Sequence, residues 1–220
     1  MRVLVTGADG FIGRHLSQAL SKMGHVIFTH TISEGDITNE RALDRFDDID
    51  HVFHLAARTF VPESLKKPYE YFQTNVLGTI SVLEYCRKNA CNMTFMSTYV
   101  YGEPRYLPIN ENHPVIGLTP YHQSKISCES ICEFYSRQFN VKITVLRPFN
   151  VFGKGQSTHF LIPKIIAQIL DPKVKEISVM DLKPKRDYIY IDDLIKAMLL
   201  TMNPAKSYSV YNVGSGVSKS

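Results

Sequence analysis

The sequence predicts an α/β protein with a doubly wound, mostly parallel sheet. Three observations support this fold: strand and helix patterns alternate along the chain, a short apolar strand begins it, and a glycine-rich turn joins that strand to an amphipathic helix. A chain of 220 residues with 44% hydrophobic residues is long enough to bury a sizeable core. We therefore expect one domain, or one domain and a fraction of a second.

The first fourteen residues predict a turn that binds a dinucleotide. The apolar run of residues 3–5 leads into Gly7, Gly10 and Gly13, and the amphipathic segment begins at once. One glycine permits the turn, one lets a pyrophosphate approach the backbone, and one lets the helix pack tightly on the strand. The N–H groups at the start of the helix then face the phosphates. Because the glycines lie between a strand and a helix, they indicate a dinucleotide site more specifically than their spacing alone would.

The remaining elements follow from hydrophobic periodicity and from turn residues. Strand patterns occupy residues 25–30, 50–55, 93–97, 141–147, 177–180 and 209–213. Helix patterns occupy residues 12–23, 68–88, 120–139, 160–170 and 192–202. The last strand pattern leads into another loop with only a few residues left. We therefore expect the chain to stop before its last structural elements.

The composition argues against several classes of function. The net charge of +4 is spread along the chain without a basic block, which argues against nucleic acid or an anionic membrane as partner. No apolar run approaches the ~20 residues of a membrane span. Because the chain opens on an apolar strand pattern, we expect no signal peptide before it. The four cysteines do not form a metal or redox motif, and we expect no metal site. These features are typical of a cytoplasmic protein with reduced thiols.

A second group of residues predicts proton transfer. Tyr121 and Lys125 are four residues apart on a predicted helix and therefore share a face. The ammonium is expected to lower the pKa of the phenol, which makes it a usable base near neutrality. The strand over 93–97 delivers Ser97 and Thr98 to the carboxyl edge of the sheet, where open α/β proteins bind ligands. A hydroxyl there can hydrogen-bond the substrate oxygen whose proton the tyrosine moves.

Taken together, these motifs resemble the extended short-chain dehydrogenases/reductases, particularly the nucleotide-sugar epimerases, dehydratases and reductases. The resemblance extends along the whole chain and implies a Rossmann-like fold. It implies an NAD(P)-binding domain over residues 1–150, with residues 151–220 holding the remaining Rossmann elements and a partial C-terminal substrate lobe. It is carried by the motifs at residues 6–13, 35–36, 54–57, 75–79, 97–102, 120–125, 147–153, 186–193 and 211–216.

The resemblance also implies roles for individual residues. Tyr121 would be the acid/base, Lys125 would hold the nicotinamide ribose and tune Tyr121, and Ser97 would supply the catalytic hydroxyl, with Thr98 as the alternative. The residues implied to bind the cofactor are Gly7, Gly10, Phe11, Ile12, Gly13, Asp36, Ile37, Leu55, Ala56, Ala57, Asn75, Tyr121, Lys125 and Pro148. Those implied to bind a nucleotide-diphosphate sugar are Ser97, Thr98, Asn150 and Arg186. For Arg186 the alternative is a structural ion pair with Asp192 or Asp193.

Two departures from the family pattern bear on the reaction. The tip of the second strand lacks the acidic residue that usually binds the adenine ribose of NAD, so the cofactor is NAD or NADP. The Asp-Glu pair that sugar dehydratases carry after the catalytic hydroxyl is replaced by Thr98-Tyr99. This disfavours a 4,6-dehydratase and leaves a 4-epimerase or a 4-keto-sugar reductase.

Two further expectations concern the class of protein and its assembly. A non-catalytic dinucleotide-binding sensor or scaffold is the alternative from another class, and the early end of the chain is what supports it. The helices over 68–88 and 120–139 correspond to those that the family uses for a four-helix dimer interface. We therefore expect a homodimer.

Overall fold

The computed structural model describes residues 1–179, 181 and 183–219. Its strands are β1 (Arg2–Thr6), β2 (Val26–His30), β3 (His51–His54), β4 (Asn92–Met96), β5 (Ile143–Pro148), β6 (Asn150–Phe152), β7 (Arg186–Tyr190), β8 (Tyr208–Val213) and β9 (Ser218–Lys219). Its α-helices are α1 (Phe11–Lys22), α2 (Val61–Lys66), α3 (Pro68–Phe72), α4 (Gly78–Asn89), α5 (Pro120–Phe139), α6 (Leu161–Leu170) and α7 (Ile191–Leu200). None of the helices in these residues is long and apolar enough to cross a membrane.

Six strands form one parallel sheet in the order β2-β1-β3-β4-β5-β8. The chain builds outward from β1 to β2 and then crosses to the other side of β1 for β3 and the strands that follow. The order therefore reverses between β1 and β3, which is where open α/β sheets bind ligands. The prediction of a doubly wound parallel sheet is confirmed.

Helices cover both faces of this sheet, because successive strand residues point to opposite sides. On one face, Leu4, Val52 and Val145 pack with side chains of α4 and α5, including Val82 and Cys132. On the other face, residues of the same strands pack with side chains of α1 and α7: Val3, Val5, Phe53, Leu146, Leu16, Leu20, Leu194 and Met198. Both cores lie beneath the carboxyl edge and hold it in place.

The helix predicted over 68–88 is divided. It consists of α3, a π-helical turn at Gln73–Leu77, and α4. The helix predicted over 120–139 has the expected bounds, and the hydroxyl of Thr119 accepts a hydrogen bond of 3.3 Å from the backbone N–H of His122. A side-chain oxygen at this position satisfies an N–H group of the first turn, as helix capping requires.

Three short strands were not predicted. β6 and β7 pair in parallel and β7 pairs antiparallel with β9, which makes a second sheet in the order β6-β7-β9. Strands of two to five residues carry too few alternations to be recognised from periodicity. The strand predicted over 177–180 is wrong for residues 177–179, which have no strand structure, and Met180 lies outside the described residues.

Candidate functional site

The glycine-rich turn between β1 and α1 is built so tightly that side chains are excluded. Gly7 has φ +67°, and a Cβ there would lie 2.8 Å from the backbone nitrogen of Ala56. A Cβ at Gly13 would lie 2.3 Å from the carbonyl oxygen of Gly7. At Gly10 the nearest atom, the carbonyl oxygen of Gly7, is 3.2 Å away. Gly7 and Gly13 therefore serve the packing of the turn, while Gly10 is exposed and leaves the backbone open to a ligand.

The start of α1 fits a pyrophosphate. Gly10 is the N-cap residue of α1, and its N-terminal end has no side-chain cap. The first turn of α1, which lies wholly within the described residues, contains no acidic residue. The first N–H groups of a helix have no partner within it, and the helix dipole favours an anion beside them. Phe11 and Ile12, the predicted cofactor residues of this turn, lie half-buried at this end. The residues present thus fit the phosphates of a dinucleotide.

The tip of β2 carries a carboxylate that the sequence pattern did not show. A short 3₁₀ turn at Ile32–Glu34 brings Glu34 back to the strand, and its carboxylate accepts a hydrogen bond of 2.8 Å from the N–H of Thr31. Arg45 pairs with the same carboxylate at 2.8 Å. The last residue of the strand, His30, is buried, and its ring nitrogens have no hydrogen-bond partner among the described residues. Burial, and to a smaller extent Arg45, lowers the pKa of His30.

Asp36 and Ile37 follow this turn. The Asp36 carboxylate accepts a hydrogen bond of 2.9 Å from the N–H of Thr38, which fixes the loop, and its side chain is exposed. Ile37 is buried and packs against α4 so closely that a Cβ at Gly78 would lie 2.8 Å from one of its methyl groups. Asp36 is therefore available to a ligand, whereas the Ile37 side chain belongs to the core.

Arg14, on the first turn of α1, is bonded to backbone oxygens. Its guanidinium donates to the carbonyl oxygen of Asp9 at 2.7 Å and to that of Gly155 at 3.3 Å. Arg14 thus joins the start of α1 to the loop after β6.

The segment Leu55–Ala57 is held by a buried hydroxyl at the end of β1. The hydroxyl of Thr6 accepts hydrogen bonds from the N–H groups of Leu55 at 3.2 Å and Ala56 at 3.3 Å. It also bonds Nδ1 of His54 at 2.8 Å. Burial lowers the pKa of His54 to about 3, so its imidazole is neutral. The half-buried Leu55, Ala56 and Ala57 are thereby fixed beside the glycine turn.

Asn75 has a positioning role in this structure rather than an open binding face. Its side-chain oxygen accepts from the N–H of Arg58 at 2.8 Å, and its amide nitrogen donates to the carbonyl oxygen of Arg58 at 3.1 Å and to the hydroxyl of Ser124 at 2.9 Å. The residue is 1% exposed. With its hydrogen-bonding groups occupied by the protein, Asn75 holds the loop after Ala57 against α5.

The two candidate hydroxyls, those of Ser97 and Thr98, have different neighbours on α5. Thr98 lies close enough to the phenol of Tyr121 to oppose the rise that burial causes in its pKa. Ser97, the first choice from the sequence, is buried, and its hydroxyl donates to the carboxylate of Glu129. The structure therefore favours the alternative, Thr98.

Lys125 lies one turn further along α5 and is buried. Its ammonium donates to the carbonyl oxygen of Met96 at 2.8 Å and lies 4.8 Å from the centre of the Phe95 ring. Burial lowers the pKa of Lys125 and raises that of Tyr121, although the nearby Thr98 opposes the latter shift. The expected lowering of the Tyr121 pKa by Lys125 is not met, because burial of the phenol raises its pKa.

On the substrate side, the predicted residues gather around β6 and β7. Pro148 ends β5 and is buried, and the Asn150 amide donates to the carbonyl oxygen of Asp187 at 3.0 Å. The Phe149 ring lies 5.5 Å from that of Tyr99. Burial raises the pKa of Tyr99, and the nearby Arg186 guanidinium opposes this shift. Asn150 and Arg186 thus share one region with two aromatic rings.

Arg186 forms neither of the ion pairs that were the alternative. It is exposed, and its guanidinium donates to the carbonyl oxygen of Lys185 at 3.1 Å. Asp193 pairs instead with Lys196 at 2.9 Å. The guanidinium is therefore available to an anionic group at this edge.

Comparison with known proteins identifies the family. The model of the "NAD dependent epimerase/dehydratase family" matches residues 3–214. The chain belongs to this family. The predicted resemblance and the prediction of NAD or NADP as cofactor are thereby confirmed.

Similar proteins within this family carry out different reactions. A putative UDP-glucose 4-epimerase of Methanocaldococcus jannaschii is 34% identical, with 97% of this chain and 77% of that protein covered. A GDP-6-deoxy-D-mannose reductase of Pseudomonas aeruginosa is 33% identical, over 98% of this chain and 75% of that protein. The UDP-glucose 4-epimerase of Thermotoga maritima, solved with UDP-glucose, is 29% identical with a TM-score of 0.91 and covers 100% of this chain and 78% of its own.

The sequence patterns did not indicate two acidic residues near the site, Glu34 and Glu129. Glu34 escaped because a turn, not the strand, brings it to the tip of β2. Glu129 escaped although it continues the four-residue spacing of Tyr121 and Lys125 on α5, a signal that would have shown it on the same face.

Proposed function

We propose that this protein is a nicotinamide-dependent enzyme that transfers hydride at carbon 4 of a nucleotide-linked hexose, as a 4-epimerase or a 4-keto-sugar reductase. The observation that carries the proposal is the placement of the buried phenol of Tyr121 beside Thr98 and one helical turn from the buried Lys125, whose ammonium donates to the carbonyl oxygen of Met96 at the carboxyl edge of the sheet. A phenol and a hydroxyl so paired can hold one sugar oxygen between them and exchange its proton. The similarity to 4-epimerases and to a reductase supports the same chemistry.

Each residue of this pair has a distinct task. When bound, the nicotinamide ring supplies or accepts the hydride. Tyr121 gives its proton to the sugar oxygen when a carbonyl is reduced and takes the proton back when an alcohol is oxidised. The raised pKa of Tyr121 keeps the phenol protonated, which suits the reductive direction. Thr98 orients the oxygen, and Lys125, one turn along α5, would hold the nicotinamide ribose.

A sugar dehydratase is the second candidate reaction, because the family includes dehydratases. Removing water requires an acid/base beside the catalytic hydroxyl. The next residue here is Tyr99, whose hydroxyl donates to the carbonyl oxygen of Gly102 at 2.6 Å, and burial raises its pKa. Tyr99 is thus a poor acid/base, which favours the epimerase or reductase. A non-catalytic sensor has no need of the Tyr121–Thr98 pair.

The proposed substrate is a nucleotide-diphosphate sugar. The planar guanidinium of Arg186 can donate to a diphosphate in two directions. The rings of Tyr99 and Phe149 beside it offer apolar surface to a sugar or a base. We also propose a homodimer that forms through α3, α4 and α5.

The experiment is a matched pair of substitutions on α5. Tyr121→Phe removes the reacting hydroxyl and should abolish turnover with a panel of UDP-, dTDP- and GDP-sugars, while fluorescence titration still shows NADH or NADPH binding. Tyr135→Phe removes only a hydrogen bond of 2.8 Å to Glu84 and should stay active. Normal turnover by Tyr121→Phe would overturn the mechanism.

Product analysis then separates the reactions. An epimerase yields the C4-inverted sugar without net consumption of cofactor, a reductase consumes reduced cofactor, and a dehydratase yields a deoxy-keto sugar. Binding without turnover of any substrate in wild-type protein would favour the sensor.

A further inference from the structure

A buried ion pair lies directly behind the proposed catalytic hydroxyl. The Arg147 guanidinium bonds both oxygens of the Glu129 carboxylate, at 2.5 Å for the Nη2–Oε2 pair and 3.1 Å from Nε to each oxygen. The two side chains are 8% and 7% exposed. Taking two charges out of water is costly, and apolar residues would often fill such a position with equal or greater stability. Stability alone therefore does not account for this ion pair.

The Glu129 carboxylate also holds Ser97. This hydroxyl donates to Oε1 of Glu129, and Ser97 directly precedes Thr98. Tyr121, Lys125 and Glu129 form one face of α5, and each contacts a residue at the end of β4: Thr98, Met96 and Ser97 respectively. The segment that ends β4 is thus bonded to α5 at Met96 and Ser97, and Thr98 follows directly.

The same ion pair reaches the loop after Thr98. Arg147 donates to the hydroxyl of Tyr101 at 2.8 Å, and that hydroxyl donates to Asn212 of β8 at 2.5 Å. Arg147 also donates to the backbone oxygen of Glu111 at 3.3 Å. Thr98 therefore lies between two anchored neighbours, Ser97 and Tyr101, and both anchors lead to the ion pair.

We propose that the Glu129–Arg147 pair is a positioning device that, through Ser97, directs the Thr98 hydroxyl toward Tyr121. This inference rests on the proposed function. Glu129 and Arg147 do not contact the reacting atoms in this arrangement; they act through Ser97 and Tyr101. A positioned hydroxyl matters because a small displacement of a reacting group costs far more rate than stability. Glu129 additionally opposes the effect of burial on the pKa of Lys125.

The decisive variant is Ser97→Ala, because it removes the link and leaves the ion pair intact. The matched control is Ser136→Ala, also on a buried serine, whose hydroxyl donates to the carbonyl oxygen of Ser207 at 2.8 Å, remote from the site. With threonine methyl groups labelled for NMR, the Thr98 signal should shift or split in Ser97→Ala and remain unchanged in Ser136→Ala. The signal of Thr94, whose hydroxyl bonds His51, serves as the internal reference.

A second variant keeps the test meaningful if loss of one charge unfolds the protein. Glu129→Gln alone leaves a buried guanidinium without its carboxylate and is expected to be unstable, whereas the double variant Glu129→Met with Arg147→Met removes both charges and should fold. If the pair only stabilises the fold, the double variant recovers the Thr98 signal together with the melting temperature. If the pair positions Thr98, stability returns but the signal stays displaced.

Kinetics complete the experiment. With a substrate in hand, Ser97→Ala and the double variant should lower kcat roughly tenfold or more with little change in KM, since orientation rather than binding is lost. An unmoved Thr98 signal in both variants would overturn this inference without touching the proposed function. Activity of Tyr121→Phe would overturn the proposed function while leaving the NMR result intact.

Discussion

The side-chain amide of Asn75 donates a hydrogen bond of 2.9 Å to the hydroxyl of Ser124, which joins the π-helical turn to α5 one residue before Lys125. The same side chain holds both backbone groups of Arg58. One buried residue therefore connects the loop that follows the dinucleotide turn with the helix that carries the proposed catalytic tyrosine. This connection gives the first prediction.

Asn75→Ala should lower both stability and affinity for the cofactor. The substitution leaves the N–H and carbonyl oxygen of Arg58 without their partner, and each unsatisfied buried group costs about 1–3 kcal/mol. We expect a lower urea midpoint and weaker NADH binding. Asn89→Ala is the control, since its amide only donates to the carbonyl oxygen of Tyr85 at the exposed end of α4, at 2.9 Å. Equal stability of the two variants would contradict the positioning role.

Substitutions at two glycines of the first turn are expected to lower different properties, the stability at Gly13 and the affinity for the cofactor at Gly10. In Gly13→Ala the new methyl would lie 2.3 Å from the carbonyl oxygen of Gly7 and 2.7 Å from the Cα of Ala8, so β1 and α1 must separate. We expect a loss of about 3 kcal/mol or more, seen by thermal unfolding. Gly10→Ala meets only one atom, at 3.2 Å, and should fold. Its methyl faces the ligand instead, so NADH titration should show markedly weaker binding; wild-type affinity would contradict this.

Buried histidines predict a loss of stability in acid. Burial lowers the pKa of His51 and of His54 from the ordinary 6.5 to about 3. Between these values the unfolded chain binds protons that the folded protein does not, so stability is complete above pH 6.5 and falls as pH decreases toward 3. Each histidine contributes a slope of roughly 1 kcal/mol per pH unit.

Urea unfolding between about pH 8 and about pH 5 measures this slope. His51→Gln should be less stable at the upper pH, because the bond of 2.8 Å between His51 and Thr94 is altered, yet its stability should depend less on pH. An unchanged slope would show that other groups, such as His30, whose pKa burial also lowers, dominate acid unfolding.

Much of the fold follows from local patterns. Val3, Leu4 and Val5 alternate between two apolar cores, and this buried run with its glycine turn predicts the parallel sheet and the dinucleotide site. The small sheet β6-β7-β9 was not predictable, because its pairing depends on Asp187, whose carboxylate accepts from the N–H groups of Ser215 and Gly216, each at 2.8 Å. Contacts between residues so distant in sequence leave no periodic signal.

The site was predictable by residue type but not by orientation. Tyr121, Lys125 and the hydroxyl pair follow from spacing, yet spacing alone did not favour Thr98 over Ser97. The choice depends on Glu129, which draws the Ser97 hydroxyl into the core. Likewise, the absent acid at the tip of β2 was inferred from the strand alone, whereas the 3₁₀ turn returns Glu34 to Thr31. Paired titrations with NADH and NADPH would show which cofactor this arrangement prefers.

The exposed helix face gives the last prediction. Tyr69 and Leu77 are 76% and 48% exposed, and together with Phe72 and Val76 they line an apolar groove beside Ser127 of α5. Contiguous exposed apolar side chains, here on α3 and the π-helical turn that follows it, are typical of a protein interface. A charge placed there would have to be buried in the dimer, so Leu77→Glu should sediment as a monomer at micromolar concentration. Leu200→Glu, at an 82% exposed position of α7 on the opposite face of the sheet, should leave the wild-type dimer intact. A wild-type protein that sediments only as a monomer would contradict the proposed interface.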